Sequence, residues 1–444
     1  MSRIRSFQNP AQLVKRIALI SLLLSSTLTV RALAQQPASS TTSTTDAAAR
    51  ISPLTASLFI ADGTKPQGEI SYWSATEIGL DQKRLPLTDI ISIAFSATAK
   101  APPRTTVNVL LANGDQLAAR VVKVGEESLI ADWVVAGYRQ KVSIPLETVT
   151  GFTTTTVRTQ TKQLRLLKLL RGAAPSEADC LFLENSDTVI GELAGFDGQA
   201  YRMRLPTSAN VSSIKGLGVS GVRLNPGLIS FPTIEGLRIL ATLTDGSRVT
   251  AQASTMAFLE AEPGKPELVQ LQLTCGAEVR IPRAAVKSVA VLGGRAEYLS
   301  DLKPVAYTFR PFLSQDWPLR RDRNVLGGPL RLRGREFAKG LGTHSQSEIT
   351  FALDRKYERF HTIIGIDDCA SGGGQALFSV SVDGQREYHS GNVTGNAPPL
   401  EIPPIDVSAG SRLTLSVDYG AGGDVLDRGD WCQALLIRKA SSKK

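Results

Sequence analysis

The chain has 444 residues, of which 42% are hydrophobic and 20% are charged. This length is enough for two or three domains, and the composition is typical of a globular protein, so a disordered chain is excluded. The formal net charge is +9, but five basic residues lie in a leader that we expect to be removed, which leaves +9 − 5 = +4. A charge this small does not indicate nucleic-acid binding, which requires basic residues concentrated on one face.

Residues 1–34 have the features of a secretory signal peptide. Basic residues precede an apolar run at 17–30, and Ala32 and Ala34 offer the small side chains that a signal peptidase recognises. The apolar run has 14 residues, fewer than the roughly 20 that span a bilayer, which favours cleavage over an uncleaved anchor. We therefore expect a secreted or periplasmic protein with no transmembrane segment after cleavage.

Residues 35–52 are rich in Gln, Ala, Ser and Thr, which predicts a flexible linker, and the chain then repeats itself weakly. Asn-Gly, Asp-Gly and related turns separate short apolar segments. Three of the four units end with a proline followed by apolar residues four and seven positions later, as in Pro86, Ile90 and Ile93. These marks predict β-repeat units 1 and 2 at 53–156 and units 3 and 4 at 178–295, each a small SH3-like or Sm-like β-barrel. Independent hairpins with coincidental turns are the alternative.

Leucines and basic residues are interleaved between the two pairs of units, in residues 157–177. We interpret this segment as a linker that is helical or extended. A basic amphipathic helix on a membrane surface is the alternative, but the segment is short and has no aromatic anchor.

The composition changes near residue 296, and all three histidines lie beyond that point. Alternating segments, such as Phe378, Val380 and Val382, predict about eight strands and no long helix. Residues 296–440 are therefore predicted to form a β-sandwich whose end loops carry the function. The fold class predicted for the whole chain is all-β.

The four cysteines are Cys180, Cys275, Cys369 and Cys432. An exported protein can form disulfides, and four cysteines allow three complete pairings. Cys369 with Cys432, and Cys180 with Cys275, are the favoured pairs, because the members of each fall in the same predicted region. The spacing contains no CxxC, which argues against a zinc site.

Six short motifs occur in order in the last third of the chain. They are YLSDL at 298–302, GPL at 328–330, KGLGTHS at 339–345, GIDD at 365–368, VDG at 382–384 and DRGDW at 427–431. With these motifs, residues 296–438 resemble the NPCBM family of carbohydrate-binding modules, which is found beside glycoside hydrolase domains, including those of family 98. The resemblance implies a galactose-binding-like jelly roll, sugar binding and a structural calcium ion. The family's last motif usually reads Asp-His-Ala-Asp-Trp-Ala, and Arg428, Gly429 and Cys432 depart from it here.

Saccharide binding uses an aromatic face together with directional hydrogen-bond partners. The residues that offer this chemistry are Trp317, His344, Asp367, Arg428, Asp430 and Trp431. A core position is favoured for Trp431, whereas Trp317 lies in a polar loop. Asp367, Asp427 and Asp430 are the candidate calcium ligands, because calcium takes carboxylate oxygens; solvated or turn-capping aspartates are the alternative.

The sequence predicts a secreted, non-enzymatic protein that binds a saccharide or a cell-surface glycan. No nucleophile elbow, zinc-protease motif or phosphate-binding glycine loop occurs. One alternative is a structural scaffold that has lost sugar binding and contacts envelope proteins. Another is a hydrolase with an unrecognised site, in which Asp367 and Asp430 would be the paired carboxylates.

Overall fold

The structure is a computed structural model, and it describes residues 49–96, 108–154, 160–171, 177–206, 208, 210–259, 265–312 and 316–440. The predicted signal peptide and most of the predicted linker at 35–52 lie outside the described residues. No helix within these ranges is long and apolar enough to cross a membrane.

The part of the chain before residue 296 is built from short strands and one helix. They are β1 (Ala49–Ile60), β2 (Gln67–Trp73), β3 (Glu77–Leu80), β4 (Lys83–Pro86), β5 (Ile90–Phe95), β6 (Val109–Leu111), β7 (Gln116–Leu117), β8 (Ala119–Val124), β9 (Ser128–Val135), β10 (Tyr138–Pro145), β11 (Val149–Thr153), α1 (Gln160–Arg171), β12 (Asp179–Leu183), β13 (Thr188–Phe196), β14 (Ala200–Arg204), β15 (Val211–Lys215), β16 (Val219–Arg223), β17 (Arg238–Leu243), β18 (Arg248–Gln252), β19 (Ala257–Phe258), β20 (Leu268–Gln272), β21 (Glu278–Pro282) and β22 (Val286–Leu292).

The proline that ends three of the repeat units lies at a corner between two strands. Pro86 ends β4, a single 3-10 turn follows at Leu87–Asp89, and β5 begins at Ile90. Pro145 and Pro282 end β10 and β21 in the same way, and each is followed by a single 3-10 turn and then by the next strand. Proline suits this position because its fixed φ allows an extended residue before the turn. The apolar residues after the corner, such as Ile90 and Ile93, are buried because they start the next strand facing the core.

The repeat units share one sheet. Nineteen of the strands described before residue 296 are joined by pairing, and β19, β20 and β21 form a separate three-stranded sheet. Strands of different units pair with each other. Strand β5 of the first unit pairs with β22 of the fourth, and β11 of the second pairs with β16 of the third. One hydrophobic cluster, including Trp133, Phe152 and Val289, runs under all four units.

Helix α1 covers the junction between β11 and β16. Leu166, Leu167 and Leu170 are buried against Phe182 and neighbouring apolar residues. The helix approaches so closely at Gly221 that a Cβ added there would lie 3.0 Å from a methyl group of Leu166. The apolar side of the helix is therefore used inside the protein, which does not favour the membrane-surface alternative.

The last third of the chain forms two facing sheets. Its strands are β23 (Ala296–Tyr298), β24 (Ala306–Phe309), β25 (Arg320–Arg321), β26 (Leu330–Leu332), β27 (Arg335–Phe337), β28 (Gly340–His344), β29 (Ser347–Ala352), β30 (Tyr357–Ile366), β31 (Gln375–Val382), β32 (Gln385–Thr394), β33 (Leu400–Glu401), β34 (Ile405–Asp406), β35 (Arg412–Tyr419) and β36 (Arg428–Arg438).

One sheet has the order β25-β28-β36-β30-β33, with β23 on β36 and β34 on β30, and the other has the order β24-β29-β35-β31-β32. Alternate residues of both sheets enclose one core, in which the rings of Phe378 and Trp431 meet edge to face, 5.1 Å between centroids. The prediction of an all-β chain that ends in a β-sandwich is confirmed.

The expected disulfides are not formed. All four cysteines are free thiols. The Cys432 side chain lies in an apolar cluster with Leu330, Leu332 and Ile363, whereas Cys369 lies in the 3-10 turn that follows β30 and is only partly buried. The predicted pairing of Cys369 with Cys432, and that of Cys180 with Cys275, are therefore corrected.

The sandwich packs directly on the first strands of the repeat sheet. Tyr298 and Ile437 share an apolar cluster with Ile91. At the edge of this contact, the Arg359 guanidinium donates a hydrogen bond of 2.7 Å to the carbonyl oxygen of Asp62. The two regions are therefore joined by apolar packing as well as by hydrogen bonds.

Trp431 is fully buried between the sheets, so its removal leaves a large cavity. We expect Trp431→Ala to lower the free energy of unfolding by about 3–5 kcal/mol, measured by chemical denaturation. Trp317→Ala, which changes a partly exposed ring, is the matched control and is expected to cost much less. Equal losses for the two variants would contradict this assignment.

His361 lies between the repeat sheet and the sandwich, with its ring edge-on to Phe59. Burial and the positive charges of Arg359 and Lys65 lower the pKa of His361 to about 4, although Glu401 opposes the shift. Because the unfolded imidazole titrates near 6.5, the unfolded state binds more protons below that pH. The stabilisation is complete above about pH 6.5 and is lost as the pH falls towards 4.

We therefore expect the wild type to lose up to about 3 kcal/mol of stability relative to His361→Gln between pH 6.5 and pH 4. Urea unfolding across this range measures the difference. The same replacement at the exposed His389 is the control. A constant difference between wild type and His361→Gln would contradict the lowered pKa.

Candidate functional site

Trp317 and His344 stack at one loop end of the sandwich. Their ring centroids are 4.8 Å apart and their planes differ by 4°. The hydroxyl of Tyr307 donates a hydrogen bond of 2.7 Å to the carbonyl oxygen of Trp317, which holds the loop in place. Trp317 is partly exposed and His344 is buried. The pair therefore forms an aromatic platform whose inner ring is fixed by the fold.

His344 is the last residue of β28, and it is held in a neutral environment. Its Nδ1 lies 2.9 Å from the carbonyl oxygen of Ser345. Burial lowers the pKa of His344, although the hydrogen bond to Ser345 and the charges of Asp427 and Asp424 oppose the shift. The imidazole is therefore neutral at physiological pH and supports the Trp317 ring from beneath.

Asp427 fixes the loops around the platform. One carboxylate oxygen accepts a hydrogen bond of 2.8 Å from the Ser345 hydroxyl, and the other accepts one of 2.9 Å from the backbone N–H of Gln375. Burial raises the pKa of Asp427. These bonds tie the corner after β28 to the start of β31, so Asp427 is a positioning residue rather than an exposed ligand contact.

Arg428 lies beside the platform because β28 and β36 are paired. His344 is the direct partner of Arg428 in that pairing. The guanidinium donates a hydrogen bond to the carbonyl oxygen of Cys369 and remains partly exposed. Arg428 therefore offers a partly desolvated cation next to the stacked rings.

Two aromatic residues that the sequence analysis missed lie at the same end. Phe312 and Tyr419 meet edge to face, with centroids 5.9 Å apart, and Phe312 is 61% exposed. Burial raises the pKa of Tyr419, and the charge of Asp424, which also acts on His344, adds to the shift. Tyr419 directly precedes a Gly-rich loop at 420–423, which was the available signal, but the contact that brings Phe312 to Tyr419 is long-range.

The other predicted site residues lie in the interior. Trp431 is 0% exposed, and Asp367 and Asp430 are each 1% exposed. A saccharide in the solvent cannot reach these side chains, so their assignment to the sugar site is corrected. Of the six predicted sugar contacts, the structure brings together Trp317, His344 and Arg428.

Asp367 is a structural carboxylate. Its oxygens accept three hydrogen bonds of 2.8 Å, from the side-chain amide of Asn324 and from the backbone N–H groups of Arg331 and Cys369. The bond to Cys369 caps the 3-10 turn that follows β30. Asp367 therefore holds the hairpin of β26 and β27 against the sandwich.

Asp430 lies next to Asp367, and neither oxygen of its carboxyl group has a hydrogen-bond donor among the described residues. Burial, reinforced by the charge of Asp367, raises the pKa of Asp430 well above its usual range. The protonated form of Asp430 is therefore favoured by the fold. This sealed pair has no cleft for a glycoside, which does not favour its interpretation as hydrolase carboxylates.

The predicted calcium ligands do not assemble into one site. Asp427 binds Ser345 and Gln375 near the platform, whereas Asp367 and Asp430 form the separate interior pair. Calcium takes six to eight oxygen ligands, and the described residues contain no group of three or more His, Cys, Asp or Glu side chains arranged to hold a metal ion. These residues do not fit the calcium ion that the sequence analysis expected.

Comparison with protein families identifies the class of the C-terminal region. Residues 295–437 match the model of the NPCBM/NEW2 domain. The resemblance predicted from the six motifs is therefore confirmed for this third of the chain.

One named protein matches part of the chain. A protein of Renibacterium salmoninarum, named provisionally as an endo-alpha-N-acetylgalactosaminidase, is 32% identical over 114 residues, which are 26% of this chain and 8% of that protein. The chain therefore matches a small part of that relative's length.

Solved structures of carbohydrate-binding modules also align with the chain. The CBM51 of Clostridium perfringens GH95, in complex with methyl-galactose, is 26% identical, covers 32% of this chain and 99% of that one, and has a TM-score of 0.29. The tandem CBM51 modules of the family 98 glycoside hydrolase from Streptococcus pneumoniae are 14% identical, cover 78% of this chain and 96% of that one, and have a TM-score of 0.27.

The raised pKa of Asp430 gives a testable pH dependence. An aspartate whose pKa is raised by folding contributes stability below its unfolded pKa, near 3.9, and loses it as the pH rises. Asparagine does not titrate. We therefore expect Asp430→Asn to gain stability over the wild type as the pH rises above about 4, by roughly 1.4 kcal/mol per pH unit until the folded pKa is reached.

Urea unfolding at several pH values measures this gain, with the exposed Asp354→Asn as the control. Added calcium is expected to leave the melting temperature of the wild type unchanged. A calcium-dependent rise that disappears in Asp430→Asn would instead mean that Asp430 is ionised and binds the cation.

Proposed function

We propose that this protein is a secreted, non-catalytic carbohydrate-binding protein. Its NPCBM/NEW2 domain would hold a saccharide at the loop end, and its repeat sheet would act as a scaffold. The observation that carries the proposal is the Trp317 ring, partly exposed and stacked on the buried His344. The match to a family of carbohydrate-binding modules supports the ligand class.

The platform offers the two kinds of contact that sugar recognition requires. The outer face of an aromatic ring packs against the apolar C–H face of a pyranose, because both surfaces are flat. Charged hydrogen-bond partners then fix the hydroxyl groups. Trp317 provides the ring, while Arg428 and Asp424 provide a donor and an acceptor at its edge. Because His344 holds the ring from the inner side, little conformational entropy is lost on binding.

The exposed pair of Phe312 and Tyr419 extends the aromatic surface. Phe312 reaches solvent next to the loop that carries Asp424. A single sugar ring covers one aromatic side chain, so a second aromatic group at this end favours a ligand of more than one residue. We infer that the ligand is an oligosaccharide or the end of a glycan chain.

An envelope scaffold without a sugar ligand is the alternative. It is favoured by exposed apolar side chains on the third repeat unit, where Leu217 is 94% exposed and Val211 is 47% exposed. Such a surface would contact other proteins of the envelope. Glycan binding by the folded protein separates the two functions, because the scaffold requires none.

We expect Trp317→Ala to weaken glycan binding about tenfold or more, which corresponds to the loss of roughly 1.4 kcal/mol or more of binding free energy. A glycan array with residues 35–444 identifies the ligand, and calorimetric titration then compares the variants. Trp317→Phe, which keeps a smaller ring, is expected to retain part of the affinity.

Tyr388→Ala is the matched control, since Tyr388 is a partly buried aromatic residue on β32 of the same domain. It is expected to leave the affinity unchanged. If the folded wild type bound no saccharide on the array, the sugar-binding proposal would be lost. Equal weakening by Tyr388→Ala and Trp317→Ala would place the site elsewhere.

A further inference from the structure

A cavity separate from the platform lies where the sandwich meets the repeat sheet. It has a volume of about 260 Å³. Ser57 and Ser92 line it from β1 and β5, and His361, Gln433 and Arg335 line it from the sandwich. This volume is just below the roughly 300–1,000 Å³ usual for drug-sized ligands. It therefore suits one small molecule rather than a chain.

His361 provides an unsatisfied polar atom at this cavity. The residue is 6% exposed, and its Nε2 has no hydrogen-bond partner among the described residues. The ring is held edge-on to Phe59, with centroids 5.5 Å apart. Leaving a buried polar atom without a hydrogen-bond partner has a free-energy cost. A ligand hydroxyl in the cavity would remove this cost.

The backbone around the cavity is shaped by a β-bulge. The pairing of β30 with β36 shifts between His361 and Ile363. Gln433, on the bulged part of β36, has a φ of +48°, which is uncommon for a residue other than glycine. Bulges redirect side chains at functional sites. Here the bulge lies at Gln433, which lines the same cavity as His361.

The charges around the cavity leave one cation without a carboxylate. Lys65 of the repeat region and Glu401 of the sandwich form a salt bridge, with 2.5 Å between Nζ and Oε1, so their charges cancel. Arg335 packs over the Phe337 ring, 4.7 Å from the centroid, and the ion pairs found among the described residues do not include it. The lining therefore carries a net positive charge next to neutral hydrogen-bonding groups.

We propose that this cavity binds a small hydroxylated carboxylate such as a sugar acid. Arg335 would bind the carboxylate, and His361 and Gln433 would bind the hydroxyl groups. This site is separate from the platform of Trp317 and does not depend on the function proposed for it.

Sodium D-galacturonate, titrated calorimetrically into residues 35–444, is the probe, and neutral D-galactose is its comparison. We expect galacturonate to bind and Arg335→Ala to weaken it about tenfold or more, since a charge-assisted hydrogen bond is lost. Ala94→Trp, which fills the cavity from β5, should abolish binding. Trp317→Ala and the exposed Arg386→Ala should leave it unchanged.

Arg335 is exposed, so its variant tests the site even if Ala94→Trp fails to fold. Absence of galacturonate binding by the folded wild type would overturn the proposal. Binding that is lost in Trp317→Ala but unchanged in Arg335→Ala would assign the ligand to the platform instead. Galactose binding as tight as galacturonate binding would overturn the role of the carboxylate.

Discussion

The two-sided pairing of β36 is the constraint on which both candidate sites depend. Its first residue, Arg428, pairs with His344 of β28, which places a cation beside the stacked rings. Its middle carries Trp431 into the core. Its bulge, opposite β30, lies at Gln433, which lines the cavity beside His361. Because one strand sets these positions, a shift of its register would move the platform, the core and the cavity together.

The local features of the fold could be predicted from the sequence, and the long-range ones could not. Prolines, turn pairs and alternating apolar residues indicated the strands because each acts within a few residues. The joining of the units into one sheet depends on pairs such as β5 with β22, which lie about 200 residues apart and leave no local signal. The sequence therefore could not decide between separate barrels and one continuous sheet, and the structure shows that the units are joined in one sheet over a common core.

The same limit explains which site residues were predicted. The chemistry that sugar binding requires indicated Trp317, His344 and Arg428, but it also included Asp367, Asp430 and Trp431. Ten residues of β36 are buried or half-buried without alternation, because both faces of this strand are covered. A two-residue period is therefore absent there, and the sequence pattern could not show that Asp430 and Trp431 are hidden from solvent.

The short connection between β22 and β23 limits the orientations that the sandwich can adopt relative to the repeat sheet. Only residues 293–295 separate the two strands, and Arg295 is itself held by Glu358 at 2.9 Å. A domain on a long flexible linker could adopt many orientations and reach ligands at different positions. Here the orientation of the sandwich relative to the repeat sheet is fixed. A glycan bound to the sandwich would therefore also fix the orientation of the repeat sheet relative to the surface that carries the glycan.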